Sequence, residues 1–186
     1  AYPQLAKNPL NALVQLMHSL SEESLDIGSE HFDASTLVIT SIDTGNSATN
    51  VIPEMAKAVI NIRFNDNHTS ESINKWLERT SKDFAEKTGT EITVDTHTSG
   101  ESFLTPPGQL SDIICNSIEQ ELGVKPSLST TGGTSDARFI KNICPVVEFG
   151  LVGKTMHSID ERVEISQIRN LKKVYTRILE NYFAEI

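Results

Sequence analysis

The sequence predicts a protein of the α/β (α+β) class built from two domains, and three observations predict it. Residues 1–104 read as helix, strand, strand, helix, strand from their apolar periodicities, the pattern of helices on one face of a small antiparallel sheet. Thr105-Pro106-Pro107-Gly108 is the strongest punctuation in the chain and marks a domain boundary. Beyond it, amphipathic helices alternate with short apolar runs, which implies an α/β layer over residues 105–186.

Each element has a local cause. Asn8 is a good helix N-cap and Pro9 suits the first helical position. Leu10, Leu13, Val14, Met17 and Leu20 then recur at helical spacing as one apolar face. Polar residues 21–33 form the exit. Residues 36–42 read as a strand, with Leu37 and Ile39 opposed to Val38 and Thr40. The turn Asp43-Thr44-Gly45-Asn46-Ser47 is made of residues that accept positive φ or bond their own backbone. A second strand over 57–64 alternates Ala58, Ile60 and Ile62 with Val59, Asn61 and Arg63, and is expected to pair antiparallel with the first. A helix opening near Thr69 or Ser70 carries Ile73, Trp76, Leu77 and Phe84, and Gly89 suits its C′ position. Residues 90–98 alternate around Ile92 and Val94 and predict a third strand.

In the second half, Leu110, Ile113, Ile114, Ile118 and Leu122 predict a helix. Residues 126–130 predict a short strand, a Gly-Gly turn follows, and a short helix is expected from Thr134. Residues 144–150 predict a buried strand. A long final helix carries Ile168, Leu171, Tyr175, Ile178, Leu179, Tyr182 and Phe183 on one side. Two strands make a thin sheet, and strands buried on both faces need neighbours, so residues 105–186 read as part of a larger domain.

The chain of 186 residues is 38% hydrophobic and 22% charged, which is ordinary for a globular protein. Its net charge of −9, with no basic patch, argues against nucleic acid or an anionic membrane as partner. No apolar run approaches the roughly 20 residues that span a bilayer. Ala1-Tyr2-Pro3 lacks the charged and apolar regions of a signal peptide, and the chain reads as starting inside a segment, as a fragment would. The two cysteines, Cys115 and Cys144, read as reduced core residues of a cytoplasmic protein.

Residues that could carry chemistry concentrate in two stretches. In Ser129-Thr130-Thr131-Gly132-Gly133-Thr134-Ser135-Asp136-Ala137-Arg138, paired glycines and hydroxyls lead into a helix. Such a terminus either binds an anion through its free N–H groups, with Arg138 adding a bidentate grip, or is a capped turn. In Thr155-Met156-His157-Ser158-Ile159-Asp160-Glu161-Arg162, His157 follows a predicted strand in an α/β region, where ligands gather, and a neutral imidazole suits metal binding or proton transfer. A surface histidine in a loop fits the same pattern. Of the other histidines, His18 lies in a helix, His31 and His68 in polar loops, and His97 at a strand end. His31-Phe32-Asp33 and Glu22-Glu23 have suggestive spacing but no predicted strand to position them. Arg63, on a strand, and Asn50, before Val51-Ile52-Pro53, could bind a carboxylate and an oxyanion, although a strand arginine also simply faces solvent.

Together these segments resemble the succinyl-diaminopimelate desuccinylase family, within the M20-type zinc amidohydrolases and peptidases. The similarity is carried by residues 1–9 (Ala1-Tyr2-Pro3-Gln4-Leu5-Ala6-Lys7-Asn8-Pro9), by Asn50-Val51-Ile52-Pro53 and Asn61-Ile62-Arg63-Phe64, and most specifically by Thr130-Thr131-Gly132-Gly133-Thr134-Ser135-Asp136, with Arg138-Phe139-Ile140. Thr155-Met156-His157 resembles the segment that supplies the family's last metal ligand.

The resemblance implies hydrolysis of N-succinyl-LL-2,6-diaminopimelate to succinate and LL-diaminopimelate by a full-length homodimeric enzyme with two zinc ions, cobalt being an alternative metal. It implies that residues 1–104 are a dimerisation domain and residues 105–186 the C-terminal part of a catalytic domain. His157 would ligate zinc. Gly133, Thr134, Ser135 and Arg138 would hold the substrate, and Tyr2, Asn50 and Arg63 would serve it from the dimerisation domain. The family's remaining metal ligands and its general-base glutamate have no counterpart in these residues, so the chain alone is expected to be inactive and to hold no two-zinc site. Gly153 stands where the family usually has an asparagine. An acetylornithine deacetylase or a general M20 peptidase would share fold and metals, and a non-catalytic dimerisation module is the reading from another class.

Overall fold

The first helix begins where its cap chemistry puts it. In the computed structural model, which describes residues 2–132 and 135–184, α1 spans Pro9–Glu22 and the Asn8 Oδ1 accepts hydrogen bonds from the N–H groups of Leu10 (3.0 Å) and Asn11 (3.4 Å). Its buried residues are Ala12, Leu16, Met17 and Leu20, whereas Val14 is half exposed. The apolar stripe is rotated from its expected position because α1 packs against a sheet and a second helix together. The chain forms two compact units, Ala1–Ser102 and Phe103–Ile186.

In the first unit β1 (Thr36–Asp43) and β2 (Lys57–Arg63) form an antiparallel pair. Leu37 lies opposite Ile62 and Ile39 opposite Ile60. The register then slips by one residue at Thr40, whose hydroxyl donates to the Val59 carbonyl at 3.1 Å. This bulge places Ser41 opposite Val59 and brings Ile42 opposite Ala58. Leu37, Ile39, Ala58, Ile60 and Ile62 pack on the helices, while Val38, Val59, Asn61 and Arg63 lie on the uncovered face. Helix α2 (Ser70–Thr88) is capped by Thr69, whose Oγ1 accepts from the Ser72 N–H at 3.2 Å, and ends at Gly89 with φ 65°. Leu16, Met17, Leu20, Ile73 and Leu77 are the buried centre of this unit.

The strand expected over residues 90–98 is not formed. Ile92 and Val94 face the core as the alternation requires, yet the backbone joins no ladder among the described residues. Side-chain alternation fixes which residues pack inward; pairing needs a neighbouring strand edge as well. Here the hairpin is covered by the side chains of α1 and α2, and the segment after α2 packs Ile92 and Val94 on that core without joining a strand edge.

In the second unit α3 (Gln109–Leu122) packs on α5 (Ile165–Ala184) around Ile113, Ile114, Ile118, Val174 and Ile178. Arg177 Nε donates to Glu121 Oε1 at 2.8 Å, and Asn181 Nδ2 to the buried Ser117 hydroxyl at 3.1 Å. The face expected on the last helix is corrected. Val174 and Ile178 are buried, whereas Ile168, Tyr175, Leu179, Tyr182 and Phe183 stand exposed, because α5 meets only α3 among the described helices. Leu122 is likewise exposed. The strands expected at 126–130 and 144–150 are not formed: neither segment joins a ladder among the described residues. Val147 and Phe149 touch the core, but Cys144 is exposed rather than buried, and both cysteines are free. No helix among the described residues is long and apolar enough to cross a membrane.

Candidate functional site

Of the residues expected in a site, Gly133 and Thr134 lie outside the described residues. The others divide between the two units.

In the first unit Tyr2 is 70% exposed at the start of a single 3-10 turn, Pro3–Leu5, where the Leu5 N–H donates to the Tyr2 carbonyl at 3.0 Å. Asn50 is exposed in the loop 44–56 between β1 and β2. That loop is built from side-chain-to-backbone bonds, as its composition predicts. Asp43 Oδ1 accepts from the Gly45 N–H, Asn46 Oδ1 from the Ala48 N–H, and Asn46 Nδ2 donates to the Val51 carbonyl at 2.8 Å. Gly45 has φ 59°, which explains glycine at that position. Arg63 ends β2, opposite Thr36, and its exposed side chain has no ion pair or hydrogen bond among the described residues. Asn50 thus lies in the loop that leads into β2, and Arg63 lies at the far end of that strand, which is about 20 Å long at ~3.3 Å per residue.

The end of the hairpin that carries Arg63 is tied by a polar knot that sequence reasoning missed. Asp26, whose side chain is 9% exposed, accepts from the N–H groups of Gly28 (2.7 Å) and Ser35 (3.2 Å) and from Asn65 Nδ2 (2.6 Å). Burial would raise this carboxyl, but the hydrogen bonds from Ser35, Gly28 and Asn65 outweigh it and hold the pKa at about 2. Asn65, 3% exposed, also donates to the Asp33 carbonyl at 3.0 Å and from its N–H to the Ser35 Oγ at 3.0 Å, and its Oδ1 accepts from the Asn67 N–H. His68 Nε2 lies 3.2 Å from Asp26 Oδ2 and 3.2 Å from the Leu25 carbonyl. Both neighbours are acceptors, so this nitrogen carries the proton. His68 is thus not a free loop histidine. The only hint in sequence is a run of small and amide residues in two loops.

In the second unit Ser135 is partly buried, and its Oγ accepts from the Ala137 N–H at 3.1 Å. The helix that follows, α4 (Ala137–Ile140), is one turn long, and its N-cap residue Asp136 makes no side-chain capping hydrogen bond. Arg138 lies with its guanidinium 4.7 Å from the centre of the Phe139 ring. Its Nε–H is buried and has no hydrogen-bond partner among the described residues. A buried donor of this kind is uncommon and costs free energy.

His157 is exposed and has φ 65°, the only positive φ outside glycine among the described residues. Thr155 closes its loop, donating to the Arg162 carbonyl (2.8 Å) and accepting from the Arg162 N–H (2.9 Å). Asp160 and Glu161 are exposed with it. A Cβ added at Gly153 would stand 3.2 Å from Met156 Cβ, so a larger residue there requires Met156 to shift.

A zinc site draws three or four ligands. Among the described residues no three His, Cys, Asp or Glu side chains come together in that way. His157 by itself does not fit the ion, and no step through a metal follows from these residues. Two open clefts of about 410 and 470 Å³ lie in the first unit, and neither is lined by an expected site residue.

Residues 1–89 match the model of the peptidase dimerisation domain of the M20 type. The chain is 58% identical over 184 residues to a succinyl-diaminopimelate desuccinylase of Cereibacter sphaeroides, across 99% of this chain and 48% of the relative. It is 56% identical to one of Ruegeria pomeroyi over the same shares. The chain therefore spans about half the length of the curated relatives it matches. Among solved structures, an aminopeptidase PepT from Bacillus cereus superposes with a TM-score of 0.73, covering 97% of this chain and 47% of that one at 16% identity, a likeness of fold alone.

Proposed function

We propose, from the match of residues 1–89 to the peptidase dimerisation domain of the M20 type, that the chain is the dimerising and substrate-holding portion of a succinyl-diaminopimelate desuccinylase. The full-length protein hydrolyses the succinyl amide of N-succinyl-LL-2,6-diaminopimelate, giving succinate and LL-diaminopimelate for lysine and cell-wall precursors in the cytoplasm. The observation that carries this reading is the identity of 58% across 99% of the chain with relatives of that name.

In this reading Arg63, Arg138 and Ser135 bind the carboxylates of a polyanionic substrate, together with Gly133 and Thr134. Guanidinium groups suit planar carboxylates, and a chain of net charge −9 has to build positive potential locally. Arg138 supports the reading most directly, since an incoming anion would satisfy its buried Nε–H. Tyr2 and Asn50 reach substrate from the dimerisation domain, and homodimerisation runs through residues 1–104. His157 supplies one zinc ligand to a site completed by residues beyond these 186. Residues 105–186 belong to a larger catalytic domain, which the exposed Ile168, Leu179 and Phe183 of α5 support. Residues 1–186 bind and position; the hydrolytic step is not assigned to them.

The test is a desuccinylation assay on the full-length protein, with N-acetylornithine as competing substrate. Release of succinate with strong preference over the acetyl amide is expected, and equal or preferred deacetylation would refute the assignment. Equilibrium dialysis of residues 1–186 against zinc should show no tight two-ion site. Two ions bound tightly would overturn the placing of the remaining ligands elsewhere.

A further inference from the structure

The knot at the end of the hairpin lies within two residues of the Arg63–Thr36 pair on both strands. Thr36 is the partner of Arg63 in the ladder, and the next residue outward on β1 is Ser35. Two residues beyond Arg63 on the other strand is Asn65. Asp26 joins both strands, accepting from the Ser35 N–H and from Asn65 Nδ2, and the Asn65 N–H donates to the Ser35 Oγ. The last ladder pair is therefore closed by a side-chain clamp. Asn65 uses every polar group it has: its N–H, its amide nitrogen twice, its Oδ1 and, through the His68 N–H at 3.2 Å, its carbonyl. Arg63 itself makes no such bond among the described residues and stands on the uncovered sheet face. Its aim depends on the backbone beneath it.

We propose that Asp26 and Asn65 are positioning residues for Arg63, clamping the two strand ends from which its guanidinium projects. The inference rests on the reading of Arg63 as a substrate-carboxylate ligand. Without the clamp the last ladder pair frays, as strand ends do when nothing closes them. The guanidinium then samples many placements, and carboxylate binding weakens while the groups that cut the amide are untouched.

The experiment is a double-mutant cycle in the full-length enzyme, reading KM and kcat for the succinylated substrate. Arg63→Ala is expected to raise KM roughly tenfold, as loss of one charge-assisted contact does. Asn65→Ala and Asp26→Asn are expected to raise KM about threefold with kcat within about twofold. Combined with Arg63→Ala, they should add nothing further, because nothing remains to be aimed. Asn8→Ala, which removes the α1 cap, destabilises the same unit and should leave KM unchanged. Should Asn65→Ala fail to fold, Ser35→Ala removes the acceptor of the Asn65 N–H and makes the same comparison. Asn65→Ala raising KM equally with and without Arg63, or not at all while Arg63→Ala does, would overturn the proposal. An unchanged KM in Arg63→Ala would instead overturn the role of Arg63, and the positioning role with it.

Discussion

Replacing Asp26 with asparagine isolates the free energy stored in the polar knot. The folded carboxyl titrates at about 2 against an ordinary 3.8. A group held below its ordinary value stabilises the fold above that ordinary value and loses the contribution as pH falls through the folded one. The difference corresponds to about 2 kcal/mol at neutral pH. The side chain is 9% exposed, so solvent screening removes little of this. Trp76 is the only tryptophan in the sequence and sits on α2 of the same unit, with its Nε1 donating to Glu23 Oε1 at 3.0 Å. Its fluorescence therefore reports unfolding of this unit. Urea titrations of the wild type and Asp26→Asn at pH 7, 4.5, 3 and 2.5 give the difference directly, since all other carboxyls are common to both. The expected destabilisation is about 2 kcal/mol at pH 7, unchanged at about pH 4.5, and shrinking steadily towards pH 2. A difference that stays constant from pH 7 to 2.5, or one below about 0.5 kcal/mol at pH 7, would refute the account, because then charge on Asp26 would not be what the knot stabilises.

Two further predictions concern the second unit. Val174 is fully buried between α5 and α3, so Val174→Ala should cost about 2 kcal/mol, read as faster amide exchange in both helices while the Trp76 transition stays in place. His157→Gly should relieve about 1 kcal/mol of left-handed backbone and slow exchange of the Arg162 N–H roughly fivefold, while lowering the zinc affinity of the full-length enzyme.

Features fixed by neighbours in sequence were legible, and those fixed by neighbours in space were not. Asn8, Thr69 and Gly89 mark helix ends because each acts within four residues of itself. The hairpin was legible because both strands alternate with period two, but the bulge at Thr40 was not, since one extra residue leaves the composition unchanged. Residues 90–98, 126–130 and 144–150 carry strand-like sequence, and whether such a stretch pairs depends on which backbone edge lies beside it. Cys144 was misplaced for that reason. The knot joins Asp26 to Asn65 across 39 positions, with no period and no motif to announce it. Among the site residues, the types at 63, 138 and 157 were readable, whereas the buried Nε of Arg138 and the positive φ of His157 belong to tertiary structure.

Those last two features separate the candidate residues into two physical kinds. Arg138 holds an unsatisfied buried donor and His157 an unfavourable backbone, and both conditions cost free energy unless a bound group compensates them. Tyr2, Asn50 and Arg63 are exposed and carry neither feature. A flexible arginine loses side-chain entropy on binding, up to about 2 kcal/mol, and each additional loose backbone residue beneath it adds roughly 1 kcal/mol or more. A residue of that kind contributes to affinity only where its backbone is already fixed. Of the three, only Arg63 stands on a strand end closed by a saturated hydrogen-bond network, and this makes it the first-unit residue best placed to discriminate between substrates.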